Sequence, residues 1–272
     1  MTRTSIFDDG NLLTTDRAAR TSRVDIAAIP ATSAAAIRQS AQLPTFAPLL
    51  DDLEVAGWSS HRRTLSGNFH DWSLIEGRIL LAMAGHAVAS QTAGMIDPIE
   101  AALVAQGAWA SLRSHAHHAG DAGTLLSLAA QSLWPMTGSG LQASVAIALI
   151  DLDGGHASVA MAGDCVAMKI RTNGSAPIAT RQPALGFVPD FMYLSHSIQL
   201  PARERIILIA DEPARRPENL TTKITNSFSH LDAETHRRMM AADAISLVRE
   251  SYEQPAADGG RAATSIVAVQ RR

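Results

Sequence analysis

Chemistry in this 272-residue sequence has to come from a few polar side chains set at turns between apolar runs. The stretch Leu65–Leu74, LSGNFHDWSL, is the first of these. A Gly turn leads into an alternating run that carries Asn68 and Asp71. Such a turn aims side chains at a common centre, where carboxylates would hold a hard divalent cation. Residue 68, however, is an amide and not an acid. Asp71 reads either as a residual site acid or as a turn or hydrogen-bonding acid. Asp211 closes the apolar run ERIILIAD, and Asp164 follows Gly163 just before Cys165. Asp164 is either a polar group at a pocket rim or a turn cap.

Three further groups invite a chemical reading, each with a plainer alternative. SHAHHAGD (114–121) gathers His115, His117, His118 and Asp121, residue types that bind zinc or nickel. The plainer reading is a helix C-terminus, whose dipole favours charged His and which Gly120 ends. Cys165 is a reactive thiol if exposed beside a cation, or a small buried hydrophobe, as its apolar run favours. Arg215 and Arg216 would contact a phosphate or acidic partner, or simply sit in a solvated loop. GDAGTL and TGSGLQAS lack the Gly-Lys-Ser/Thr ending of a phosphate-binding loop.

The elements that position these residues follow from patterning. Residues 1–32 are Ser-, Thr-, Arg- and Ala-rich with little periodicity and read as a loosely ordered arm, with SAAAIRQSAQLP a short helix after it. LEVAGWSSH (53–61), HDWSLI (70–75) and GRILLAMAG (77–85) read as strands. Helices are expected over 97–118 and 122–136, the second stopped by Pro135. Residues 144–171 read as a hairpin about Asp153-Gly154-Gly155. Strands are expected at 196–200, 204–211 and 264–272, with helices over 217–250. This order of strands, helices, strands, helices and strand points to a layered α+β fold.

Composition narrows the function classes. With 46% hydrophobic residues the chain is long enough to bury a core, and 4% aromatic content means that small aliphatic side chains fill it. A net charge of -3 gives no electrostatic case for nucleic acid or an anionic membrane. Apolar runs such as Val145–Ile150 are far shorter than the roughly 18 residues of a membrane helix. MTRTSIFDDG lacks the apolar core of a signal peptide. One cysteine allows no internal disulfide, so a cytoplasmic location is expected.

Taken in order, these segments resemble the PPM (2C-type) metal-dependent protein serine/threonine phosphatases, in their SpoIIE/RsbU-like bacterial branch, from about Ala36 to the C-terminus. LSGNFHDW is similar to that family's Gly-Gly-Asp-Phe-Tyr-Asp. RILLAMAGHAVAS stands where it has an apolar strand and Gly-Asp-Val-Ser-Gly-His-Gly. The 145–171 run resembles its hairpin ending in Ala-Gly-His-Pro, PALGFVPD its Pro-Leu-Gly, RERIILIADE its strand into Thr-Asp-Gly, and RAATSIVAVQRR its Asp-Asp-x-Thr and last strand.

The resemblance implies an α-β-β-α sandwich with two central antiparallel sheets and helices on both outer faces, over residues 36–272, behind an arm of residues 1–35. It also implies a pair of manganese or magnesium ions held by aspartates. Carried over position by position, those aspartates fall on Asn68, Gly85 (in an ungapped match), Asp211, and the pair Arg261 and Ala262. Asp211 alone keeps its carboxylate, and Arg261 sets a cation where a cation would bind. The expectation is therefore a pseudophosphatase serving as a regulatory or protein-interaction module, with no cofactor. The alternative is an active phosphatase with an altered metal site that uses manganese or magnesium, with Asp211 as a weak ligand. A protein partner is expected, and a homodimer through helices 97–134 with Trp109, Leu112 and Trp134 as apolar anchors. The plainer reading of those anchors is packing on the sheet.

Overall fold

The computed structural model describes residues 43–44, 50–59, 65–89, 97–137, 140–211, 217–253 and 264–272. The elements are β1 (Leu53–Ser59), β2 (Asn68–Ile75), β3 (Ile79–Ala89), α1 (Pro98–His115), α2 (Ala122–Leu133), a short 3₁₀ turn (Trp134–Met136), β4 (Leu141–Asp151), β5 (His156–Ala162), β6 (Cys165–Arg171), β7 (Gly174–Pro177), β8 (His196–Gln199), β9 (Arg205–Asp211), α3 (Pro217–Ser229), α4 (Ala233–Arg238), α5 (Ala241–Glu253) and β10 (Thr264–Arg271). They build two antiparallel five-stranded sheets, in the orders β1-β10-β9-β6-β7 and β2-β3-β4-β5-β8.

Three apolar layers hold the sandwich together. Leu80, Ala82 and Ala84 of β3 meet Ile206, Leu208 and Val267 between the sheets. Leu81 and Met83, on the other face of β3, pack against Ala105, Leu112 and Leu126 of α1 and α2. Ile207, Ile209 and Ile266 of the second sheet pack against Ile224 and Ala244 of α3 and α5. Both sheets are covered on both faces, so their strands read as long apolar runs, and alternation shows only in which layer each residue joins. This is the α-β-β-α sandwich expected from the sequence. Among the described residues no helix is long and apolar enough to cross a membrane.

Local chemistry explains the helix starts. Asp97 caps α1 by accepting from the backbone N–H of Ile99 and Glu100, with Pro98 in the first turn. Asp121 caps α2 in the same way through Gly123 and Thr124.

Two expectations are revised. The expected hairpin about Asp153-Gly154-Gly155 forms between β4 and β5 but does not run on to 171: after β5 the chain turns at Gly163-Asp164 and β6 crosses to the other sheet, beside β9. Gly163 has φ +75°, and a Cβ there would lie 2.3 Å from Ser144 Oγ, so glycine is required at the crossing. β3 also runs on to Ala89 instead of ending near Gly85. β7 carried no strand signal and was not expected. The 1–35 arm lies outside the described residues, as does the expected helix SAAAIRQSAQLP (33–44) up to residue 42.

Asp71 fastens α1 to the sheet. It is 2% exposed, its Oδ2 accepts from Trp109 Nε1 at 2.7 Å and Arg113 NH1 at 2.6 Å, and its Oδ1 accepts from Trp72 N. Asp71→Ala should therefore destabilise the protein by about 2 kcal/mol, the partial exposure of Arg113 lowering the cost, and drop the Tm by roughly 5 °C. Asp71→Asn, which keeps an acceptor, should lose less. A thermal melt in which Asp71→Ala matches the parent would remove the latch from the account.

Candidate functional site

β2 and β3 run antiparallel with Asn68 opposite His86 and Phe69 opposite Gly85. β4 extends the first row, placing Ser144 opposite His86. Because Leu80, Ala82 and Ala84 face the inter-sheet space, His86 follows them there. Gly85 joins Leu81 and Met83 in facing the helix layer. The Phe69 ring fills the space above Gly85, and a Cβ at that position would lie 2.1 Å from it.

Asn68 and His86 form a buried pair, 0% and 6% exposed, in which Asn68 Oδ1 meets His86 Nδ1. An amide oxygen only accepts, so Nδ1 carries the proton and Nε2 is left as a lone pair. That Nε2 is buried without a hydrogen-bond partner. Burial pushes the imidazole down to a pKa of about 4, so His86 is neutral at pH 7. Beside the pair, His70 Nδ1 meets Ser59 Oγ at 2.7 Å, and Ser59 meets Ser265 Oγ at 2.9 Å, bridging the two sheets. Asp164 N donates to Ser144 Oγ at 3.0 Å. The β9–β10 register puts Asp211 opposite Thr264, next to Ser265, at this same end of the sandwich.

These groups do not suit a pair of magnesium or manganese ions. Such cations need several anionic oxygens, whereas Asn68 and His86 are both neutral and Gly85 has no room for a side chain. With its pKa near 4, His86 is also a poor general base at neutral pH. No group of three or more His, Cys, Asp or Glu suited to a metal exists among the described residues.

The remaining sequence candidates sort as follows. Asp71 faces the helix layer, away from Asn68, and is occupied by Trp109 and Arg113. Asp164 lies at the corner near Ser144 and is ion-paired with Arg181. Asp211 is placed by its backbone as the last residue of β9. Arg261, Ala262, Arg215 and Arg216 lie outside the described residues. In the histidine group, His115 Nε2 meets Ser132 Oγ on α2 and Asp121 serves as a cap. Cys165 is buried, its Sγ 3.4 Å from Ala162 O. Leu112 is fully buried and Trp109 is partly buried against the same core, so neither is a free anchor for a second chain; Trp134 is 44% exposed. The sequence reading missed His86, His70 and Ser144. The signal that would have found His86 is parity, since it stands two and four residues beyond Ala84 and Ala82 on one strand face.

His86 makes stability depend on pH. The unfolded imidazole binds a proton near pH 6.5 and the folded one near 4, so between these values the unfolded chain holds more protons. Stability contributed by neutral His86 is complete above about pH 6.5 and is lost as pH falls to about 4, by about 3 kcal/mol. In thermal melts from pH 7 to 4, His86→Gln should show a shallower decline than the parent. Parallel curves would mean that His86 titrates normally.

The sequence profile described as Stage II sporulation protein E (SpoIIE) matches residues 98–262, more than half of the chain. No curated protein sequence matches. Among solved structures, the RsbU and RsbW domains of Rv1364c from Mycobacterium tuberculosis are 16% identical with a TM-score of 0.64, covering 83% of this chain and 63% of that one. The SiaA-PP2C domain of Pseudomonas aeruginosa is 14% identical with a TM-score of 0.65, covering 88% and 95%. The PP2C phosphatase domain with a regulatory-domain fragment of SpoIIE from Bacillus subtilis is 12% identical with a TM-score of 0.59, covering 80% and 63%. The chain thus spans less than two thirds of the first and third of these relatives, and at such identities the likeness is one of fold.

Proposed function

The chain belongs to the SpoIIE family of PP2C-type phosphatase domains, and on that premise we propose that it is a phosphatase-fold module whose two-metal centre no longer works and which acts by binding a protein partner in bacterial signalling. One observation carries the reading. The facing strand positions at the mouth of the inter-sheet space hold a neutral amide and a neutral imidazole instead of two carboxylates. On this reading His86, which faces Asn68 across the strand pair, takes the second acid position, and Gly85, which faces the helix layer, does not. Arg261, at the last acid position in the sequence, adds a cation to the same count.

The partner is taken to be a regulatory protein, since the Mycobacterium tuberculosis relative couples an RsbU domain to an RsbW domain. A homodimer through α1 and α2 would have to use Ile99, Leu103 and Trp134, the large apolar side chains exposed there. A single buried cysteine fits a reducing cytoplasm. A second reading, an active enzyme with a reduced metal site, rests on the acid retained at Asp211.

Calorimetry with manganese should show no saturable site tighter than about 0.1 mM. The pure protein should not hydrolyse p-nitrophenyl phosphate or a phosphoserine peptide. Manganese-dependent turnover abolished by Asp211→Ala would establish the second reading.

Repair gives a sharper test of where the centre lies. Ligands act as a unit, so Asn68→Asp, His86→Asp and Arg261→Asp together should create manganese binding that none creates alone. Substituting Gly85→Asp for His86→Asp should unfold the strand pair against Phe69. If the first triple variant melts cooperatively and still binds no manganese, these residues do not map onto the family's metal centre.

A further inference from the structure

At the opposite end of the sandwich lies a feature that the phosphatase-like centre does not use. An open pocket of about 330 Å³ is lined by Arg203, Arg237, Arg238 and Arg272, with Glu54 and Glu234. Four cationic side chains against two side-chain carboxylates leave a side-chain surplus of two positive charges, in a chain whose net charge is -3. Glu234 is shared by Arg237 at 2.8 Å and Arg238 at 2.7 Å, and Arg272 meets Glu54 at 3.0 Å. The two Glu234 pairs are largely exposed and hold Arg237 and Arg238 only weakly, whereas Glu54 is mostly buried. Arg203 has no ion pair among the described residues.

Two further observations set this pocket apart from an ordinary charged surface. Arg203 adopts a left-handed backbone, φ +67°, a strained conformation for a residue other than Gly or Asn. It is held there between Arg203 N–H donating to Arg271 O and Glu204 N–H donating to Pro201 O. Behind the floor, Arg205 is completely buried. Its Nε donates to Gln270 Oε1 at 2.7 Å, and its NH2 to His236 O and Met239 O, both at 2.6 Å. Its NH1 has no hydrogen-bond partner. Gln270 and Met239 line the pocket, so this fifth arginine stands one layer below it, with Glu54 and Asp243 as the neighbouring carboxylates.

We propose that this pocket is a binding site for a phosphate monoester dianion, gripped by Arg203, Arg237 and Arg238. Guanidinium forks match phosphate oxygens in pairs, and a dianion equals the surplus of two charges. Met240, 52% exposed at the rim, offers an apolar contact to whatever carries the phosphate. The site is independent of the Asn68–His86 centre. Arg205 begins β9 and Asp211 ends it, which separates the two by roughly 20 Å of extended strand. The phosphate has two possible sources, a phosphorylated side chain of a protein or a small free phosphate compound.

The test is isothermal titration calorimetry of the full chain with inorganic phosphate, exchanged for chloride at constant ionic strength. Saturable binding in the roughly millimolar range or tighter is expected. Arg203→Ala combined with Arg238→Ala should weaken it at least tenfold. Arg78→Ala, which removes an exposed arginine elsewhere, should leave it unchanged. Thermal melts verify that each variant is folded. A phosphoserine peptide binding at least tenfold tighter than inorganic phosphate, with its unphosphorylated twin silent, identifies a protein source; equal affinities identify a small anion. No saturable binding, or binding unaltered in the folded double variant, overturns the site.

Discussion

The antiparallel register of β2 against β3 governs what this fold can hold. Both faces of β3 are buried, one against the second sheet and one against α1 and α2, so each residue belongs to one layer and a slip of one position would exchange the layers. Leu80, Ala82 and Ala84 commit His86 to the inter-sheet space, where Asn68 already points. Phe69 and Gly85 are committed to the helix layer by the same count, and there the ring of one occupies the space a side chain of the other would need. No adjustment of a single rotamer returns residue 85 to the centre.

The same parity divides the opening motif into two jobs. Asn68 and Asp71 lie three residues apart on one strand and therefore on opposite faces. Asn68 closes the inter-sheet space with His86, while Asp71 reaches α1 and ties Trp109 and Arg113 down. A buried carboxylate with three donors is satisfied where it stands, so Asp71 serves the architecture. Trp109 and Leu112 are absorbed in the same packing, which leaves Ile99, Leu103 and Trp134 as separately exposed large apolar side chains of that layer.

Much of this architecture was legible in the sequence because long apolar runs bounded by Gly and Pro are strong signals. The runs at 53–59, 205–211 and 264–271 became β1, β9 and β10 within a residue or two, and helices stand within 97–118 and 122–136 as expected. Two kinds of information were not legible. The departure of β6 to the other sheet depends on the close approach of Gly163 to Ser144, a contact between residues far apart in sequence. The identity of the residue facing Asn68 depends on pairing register, and an ungapped motif match lands on Gly85, one position short of His86, the residue opposite Asn68. β7, with four residues and two of them Gly and Pro, has too little pattern to be read at all.

Losing a metal centre inside a buried space is an electrostatic problem before it is a functional one. Two carboxylates facing each other there are stable while cations sit between them; without the cations, like charges in a poorly solvated site repel and at least one must take up a proton. Changing one acid alone relieves part of the repulsion but leaves the other charge buried without a partner. If Asn68 and His86 stand at those two positions, as proposed, they meet both problems together: the amide and imidazole are neutral, and each answers the other with one hydrogen bond. The burial that drives His86 to a pKa near 4 then keeps the pair uncharged throughout the neutral range. The Ser59–His70 and Ser59–Ser265 contacts complete a polar junction between the sheets that requires no ion. On the proposed reading such a junction needs no metal for its stability, and this is the physical condition under which the domain is free to work through its surface.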